Sequence, residues 1–427
     1  MQLHLRFTTP FRLLALVVPS LALAQGNIPA DNPAVRRGMD DIKSFNAWTL
    51  DQQVSICEIP APGFKEQVRG AEFRRRLISL GYANTRIDSI GNVIAERAGS
   101  GSGPTVMIAG HLDTVFPEGT NVKVAKNGDR FDSPGIADDC RGLAVVLAVA
   151  KALNDAAVRT TGRVILVGDV GEEGAGNLRG VRHMLTGEYK GKVDYFISVD
   201  GLGIHVTNRA VGSKRFNVKF TGPGGHSYGA FGMPSAIHAM GRAIANISDA
   251  QVPTMPKTTF NVGVVTGGTS VNSIAFEAAM DVDMRSESAE SLDRVDASIH
   301  KAVADALAAE NARWPKSPAK IAVRFDTIGI RPIPKTPQTD ESPIVRTAVE
   351  AAKALGESPP PTSAGSTDSN IPMNLGIPAI TIGGGGHGGG AHALNEWYQD
   401  GADGYKGPQW ALLIVAALAG VARGVTP

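Results

Sequence analysis

Three short apolar runs recur along the first half of the chain, each ending in polar groups: Thr105 to Ala109 before His111, Arg163 to Val167 before Glu172, and Tyr195 to Val199 before Asp200. None alternates apolar with polar. Each therefore predicts a strand covered on both faces, as in a sheet with helices above and below. Between the first two lies Leu143 to Leu153, an almost wholly apolar stretch of helical length, with Asp138 and Asp139 where a helix start places its capping side chain. Strand and helix alternate, the order of a doubly wound fold.

The pattern changes near Lys214. A strand (Arg215 to Phe220), a helix (Pro234 to Ile247), strands near Thr258 to Val265 and Ile274 to Met284, a helix (Ala289 to Ala308) and a strand (Lys320 to Phe325) follow in turn. This β-α-β-β-α-β order is that of a ferredoxin-like α+β unit. In its third strand Phe276, Ala278, Met280, Val282 and Met284 alternate with Glu277, Asp281, Asp283 and Arg285, which predicts one solvated face. After the proline-rich segment Arg331 to Pro337 the α/β pattern resumes, with a helix near Ser342 to Leu355, a strand at Ala379 to Ile382 and a closing apolar helix from Trp410. The expected organisation is a signal over 1–24, the first part of a catalytic domain over 25–210, an inserted unit over 211–330, and the rest of the catalytic domain over 331–427.

Composition changes this picture little. A chain of 427 residues exceeds one typical domain of about 100–200 residues. With 42 basic and 41 acidic residues the formal charge is +1, which argues against nucleic acid or an anionic membrane as the main partner. At the N-terminus, Arg6 and Arg12 precede an apolar run from Leu13 to Ala24 that ends in Ala22-Leu23-Ala24. This predicts a cleavable secretory signal and a periplasmic or secreted mature chain. The run is shorter than the roughly 20 residues of a spanning helix, so no membrane attachment is expected after cleavage. Cys57 and Cys140 are the only cysteines, and one possible bridge implies no disulfide scaffold.

The candidate chemistry lies where strands end. His111 and Asp113 follow one strand, Glu172 and Glu173 a second, Asp200 a third, and His392 the late strand through the glycine-rich loop Gly383 to Gly390. Residues beyond the carboxyl ends of strands in an open α/β sheet meet in one crevice. Imidazole with carboxylate suits zinc. A bridging carboxylate could hold two ions about 3.5–4 Å apart, and of two adjacent glutamates one can bind metal while the other stays free as a base.

Gly110-His111-Leu112-Asp113, Gly135-Ile136-Ala137-Asp138-Asp139, Gly171-Glu172-Glu173-Gly174, Val199-Asp200-Gly201, Gly224-Gly225-His226-Ser227 and His392-Ala393-Leu394-Asn395-Glu396, in this order, resemble the dinuclear zinc exopeptidases and deacylases. That family includes carboxypeptidase G, tripeptide aminopeptidase, succinyl-diaminopimelate desuccinylase and acetylornithine deacetylase. The resemblance implies a mostly parallel sheet sandwiched by helices, with the ferredoxin-like unit serving as a dimerisation and lid domain. It implies two divalent metal ions, zinc foremost, with cobalt or manganese as alternatives. His111 and Asp200 would hold the first ion, Glu173 and His392 the second, and Asp138 would bridge them. Asp113 would orient His111, and Glu172 would move a proton from the attacking water to the leaving amine. A cis peptide joins Asp138 to Asp139 in this family. His226 would cross a homodimer interface to help stabilise the oxyanion in the partner's site, while Asn272 and Arg285 would contact the substrate's carboxylate or backbone.

The substrate expected is therefore a small peptide or an N-acyl amino acid. The context around Gly171 and the segment Gly365-Ser366-Thr367-Asp368 favour the tripeptide-aminopeptidase or dipeptidase branch, with a carboxypeptidase or deacylase as the alternative and a periplasmic binding protein as the rival from another class. Each acid also has an ordinary structural explanation, Asp138 and Asp139 as helix caps above all. Two departures stand out. Cys140 and Arg141 replace a frequent lysine and glycine, leaving open which cation borders the site, and Gly171 stands where an aspartate is common.

Overall fold

The computed structural model describes residues 28–422 except 335, 359 and 360, so the expected signal over 1–24 lies outside the described residues. An eight-stranded sheet forms the centre of the main body. Its four middle strands, Gly162–Asp169, Gly103–His111, Tyr195–Val199 and Ala379–Ile382, run parallel to their neighbours, while Val93–Arg97 and Val206–Ala210 join antiparallel on either side. The sheet is covered on both faces, as its unbroken apolar runs require. One face packs against the helices Pro33–Ser44, Cys140–Asp155, Pro343–Ala354 and Lys406–Ala419, with Trp410 fully buried and its indole N–H donating to Ala348 O at 2.8 Å. The other packs against Arg179–Thr186 and the short helix Asn370–Asn374.

Residues 212–331 build a second, antiparallel sheet of four strands, in the order Thr258–Gly267, Glu277–Ser286, Gly212–Thr221, Ala322–Arg331. Helices Ala236–Ser248 and Ala289–Arg313 cover one of its faces, around Val218, Phe220, Met280, Val282 and Ile299. This core is separate from that of the main sheet.

Three boundaries differ from the sequence pattern, each because local hydrogen bonds override periodicity. The stretch Ile274 to Met284 is not one strand. Ser273–Ile274 pairs with Gly225–His226 and Glu277–Ser286 joins the sheet, because Ala275 O accepts from Ala236 N at 3.0 Å and Phe276 O from Gly222 N at 2.8 Å. Phe276, expected on the apolar face, is half exposed. The helix from Ala289 runs on to Arg313, held by the buried Glu310, whose carboxylate accepts from Ser235 N and Arg242 Nε at 3.2 and 3.1 Å. The last strand starts late, since Ile321 N donates to the Asn311 side chain, and it continues to Arg331, the residue that opens the proline-rich stretch.

Candidate active site

The parallel strands end on one side, and their ends bring the predicted ligands together. His111 closes its strand, Glu172 and Glu173 lie three and four residues past Asp169, and Asp200 follows Val199 directly. His392 arrives from the glycine-rich loop in a left-handed backbone conformation (φ 65°), uncommon for a side chain of its size. Asp138 sits in the turn before the helix Cys140–Asp155 and is joined to Asp139 by the expected cis peptide.

Asp138 stands at the centre. Its Oδ1 lies 3.0 Å from His111 Nε2 and its Oδ2 3.0 Å from His392 Nε2, and His392 Nε2 is 2.9 Å from Glu173 Oε1. Two groups of potential ligand atoms share this aspartate: His111, Asp138 and Asp200 in one, Asp138, Glu173 and His392 in the other, with all atoms of a group within 4.8 Å of one another. Asp139, by contrast, is the helix cap, accepting from Gly142 N and His111 N at 2.9 Å each. Asp113 is fully buried, and its two oxygens accept from the amides of Glu172 and Glu173 at 3.0 and 2.9 Å. Its carbonyl oxygen, at 3.0 Å, is nearer His111 Nδ1 than its carboxylate, at 3.6 Å. Asp113 thus fixes the imidazole and the Glu172-Glu173 loop at once.

The electrostatics of this cluster call for cations. Burial, then the neighbouring Asp138, pushes Asp200 up to about 7. Hydrogen bonds to Asp138 and Glu173 push His392 up to about 10, and His111 is raised too, because bonds to Asp113 and Asp138 outweigh the burial that would lower it. Two imidazoles and three carboxylates converging in this way fit divalent metal ions.

Arg331 carries no site signal in the pattern of the chain, where it only opens the proline-rich segment. Its side chain is 5% exposed and donates to Glu172 Oε1 at 3.0 Å, to Glu172 O, and to Ser366 O and Oγ at 2.9 and 3.2 Å. Burial raises Glu172 well above the ordinary carboxyl range, with the Arg331 guanidinium opposing that shift and Glu173 adding to it. Asp169 was also missed, and Asp368 was named only within the segment Gly365 to Asp368. Both are buried, and among the described residues no N–H or O–H donor reaches any of their four oxygens. The two carboxyls face each other and burial raises both, Asp169 to about 7, which fits a proton shared between them.

Beside the ligands lies a cavity of about 590 Å³ walled by Arg331, Ser366 and Val115 and, from the antiparallel sheet, by Asn261, Arg215, Asp283 and Arg285. The strand face expected to be solvated therefore looks partly onto the site. Asp283 accepts from Arg215 Nε at 2.8 Å and Arg285 Nε at 2.9 Å, and Arg215 also reaches Gly174 O at 3.2 Å. Arg215, Arg285 and Arg331 are the cations bordering the site. Arg141 is not one of them: fully buried, it turns away to donate to Gly384 O and Gly404 O at 2.7 Å each. Cys140 and Cys57 are buried free thiols, and neither belongs to a ligand group among the described residues. Gly171 has φ +68°, and a Cβ there would fall 1.7 Å from Arg179 Nη1, which explains why an aspartate is absent.

His226 and Asn272 are not brought to this cavity. They are exposed neighbours, with Ser227 N donating to Asn272 O at 2.9 Å and the His226 ring accepting from the Gly229 amide.

A parallel sheet whose strand ends deliver imidazoles and carboxylates to one crevice bordered by three arginines defines an α/β protein with a site fitted to divalent metal ions. The chain belongs to peptidase family M20/M25/M40, whose model matches residues 107–413. It is 27% identical to carboxypeptidase G2 of Pseudomonas sp. (strain RS-16) over 287 residues, which is 64% of this chain and 66%, just under two thirds, of that enzyme. Its fold is shared with the aminopeptidase PepT of Bacillus cereus, with a TM-score of 0.68 at 20% identity over 87% of this chain and 98% of that one. The YXEP protein of Bacillus subtilis, described as a dinuclear metal-binding peptidase, aligns with a TM-score of 0.63 at 19% identity over 88% and 99% of the two chains.

Proposed function

We propose that this chain is a two-metal exopeptidase of small peptides, of the tripeptidase or dipeptidase kind. The observation that carries the reading is Asp138, shared between two ligand groups, with Glu172, which could join His111 and Glu173 in a third, bonded instead to Arg331. His111 and Asp200 would hold one ion, Glu173 and His392 the other, and Asp138 would serve both. Zinc is the expected metal, with cobalt and manganese as alternatives. Bound there, two divalent cations would polarise the scissile carbonyl and lower the pKa of water. Glu172 takes the proton of the attacking water and returns it to the leaving amine. Arg331 opposes the burial that raises that carboxyl and aims it through its contacts to Glu172 Oε1 and the Glu172 carbonyl oxygen. Arg285 receives the substrate's free carboxylate, for which a guanidinium offers two parallel donors.

A second reading, a carboxypeptidase or deacylase of N-acyl amino acids, shares this anchor. What favours it is Asp283, the one carboxylate that the antiparallel sheet presents to the cavity: both its oxygens are taken by Arg215 and Arg285, leaving that wall without a free acid for a substrate ammonium. Carboxypeptidase G2 is also among the relatives. Hydrolysis of free-amine tripeptides compared with N-acyl amino acids, each with and without chelator, separates the two. Cleavage of the acylated set alone rejects the tripeptidase reading, and chelator-insensitive cleavage of either rejects both.

Two further parts complete the proposal. The protein acts as a homodimer in which the exposed His226 and Asn272 reach the other copy's cavity, and the exposed Val264 and Val265 on the edge strand Thr258–Gly267 offer apolar surface for that contact. It is exported to the periplasm or beyond with its first 24 residues removed, which N-terminal sequencing of the mature protein would check.

A further inference from the structure

Asp138 is the most exacting ligand position, since one carboxylate must face two ions, yet it lies in a turn outside any helix or strand. Three amides of that turn point inward to one acid. Glu396 is fully buried; its Oε1 accepts from Ala137 N at 2.8 Å and Asp138 N at 2.9 Å, and its Oε2 from Gly135 N at 2.8 Å. No lysine or arginine bonds to it among the described residues, and it belongs to no ligand group, so its two oxygens serve the backbone of the turn alone. Its main chain is tied to the same place. Ser133 N donates to Glu396 O at 3.0 Å, and Trp397 and Tyr398 pair with Asp132 and Phe131. His392, four residues earlier, belongs to the same segment, where Glu396 N donates to Ala393 O at 3.0 Å.

We infer that Glu396 is a positioning residue for metal binding: by gripping the Gly135, Ala137 and Asp138 amides, it sets the bridging aspartate from the same short segment that delivers His392. Two ligands distant along the chain are thereby held in one register. The inference rests on the metal-site reading above. A carboxylate suits the task because three donors meet two oxygens. Glutamine could keep the two bonds to Oε1 through its carbonyl oxygen but would turn an N–H2 group toward the Gly135 amide.

The test is zinc titration calorimetry on chelator-treated mature protein, with the rise in Tm on adding zinc measured beside it, for wild type, Glu396→Gln and Glu396→Ala. Glu396→Ala is expected to bind zinc about 10–100-fold more weakly and to lose most of the zinc-induced rise in Tm, with Glu396→Gln between it and wild type. A merely structural role would lower the Tm of the metal-free and zinc-loaded forms alike and leave the affinity unchanged, and that result overturns the inference. Should Glu396→Ala not fold, Glu396→Gln decides by the same comparison of affinities. Wild-type protein that takes up no zinc would overturn the metal-site reading as well, whereas tight binding by all three proteins overturns only the role of Glu396.

Discussion

Replacing Arg331 by methionine removes the one cation among the described residues that bonds to Glu172, while keeping most of the side-chain volume. At 3.0 Å and an effective dielectric of 20, the pair is worth about 5.5 kcal/mol by Coulomb's law, and loss of one partner of a buried pair commonly costs about 3–5 kcal/mol. Each pKa unit corresponds to about 1.4 kcal/mol, so even half of this interaction moves the Glu172 carboxyl upward by about two units. The sign follows from burial, which already raises Glu172 and which Arg331 opposes. The base then stays protonated to higher pH. In a profile of kcat/KM against pH, the acid limb of Arg331→Met should shift up by about two units, with activity partly regained at alkaline pH. Arg331→Lys, which keeps the charge but loses the forked contact to Ser366, should shift less. An acid limb within about half a unit of wild type for Arg331→Met would refute the assignment of the pair, whatever the fall in overall rate.

Other perturbations probe the remaining parts. Glu172→Gln should lower kcat by about 10²–10⁴-fold with metal content unchanged, and a normal rate would remove Glu172 as the base. His226→Ala should impair turnover without loss of metal, and mixing it with Glu172→Gln should restore part of the activity through hybrid dimers; inactive mixtures that do contain hybrids would contradict the crossing role. For the Asp169–Asp368 pair, the folded acid near 7 stands above the unfolded value of about 3.9, so its stabilising contribution is complete below pH 4 and is lost as pH rises through 7. Asp368→Asn, whose amide can donate to an ionised Asp169, should flatten that fall in the urea stability of chelator-treated protein between pH 5 and 8. Parallel slopes for the two proteins would count against a shared proton.

What the chain reveals before folding is set by how local each signal is. The apolar runs before His111, Glu172 and Asp200 mark buried parallel strands, and the convergence of these residues follows from that topology. Asp139 as a cap was legible from its place before the helix. Arg331 was not, because its partner lies 159 residues away and no spacing rule links them. Which cation borders the site stayed open for a related reason: Arg141 adjoins Asp138 and Asp139 in sequence, but the helix turns its side chain back to Gly384 and Gly404. Strand ends at Ile274 and Lys320 were blurred where single hydrogen bonds to Ala236 and Asn311 divert the backbone. His226 and Asn272 were named from motif resemblance, and within one chain they stand together but away from the cavity, so their role turns on a second copy.

The most direct measurement is a metal count on the purified mature protein, joined to anomalous diffraction at the metal edge. Two divalent ions per chain are predicted, sharing Asp138, with His111 and Asp200 on one side and Glu173 and His392 on the other. A chain that hydrolyses its substrate with no bound ion, or with ions held away from these five residues, would contradict the account.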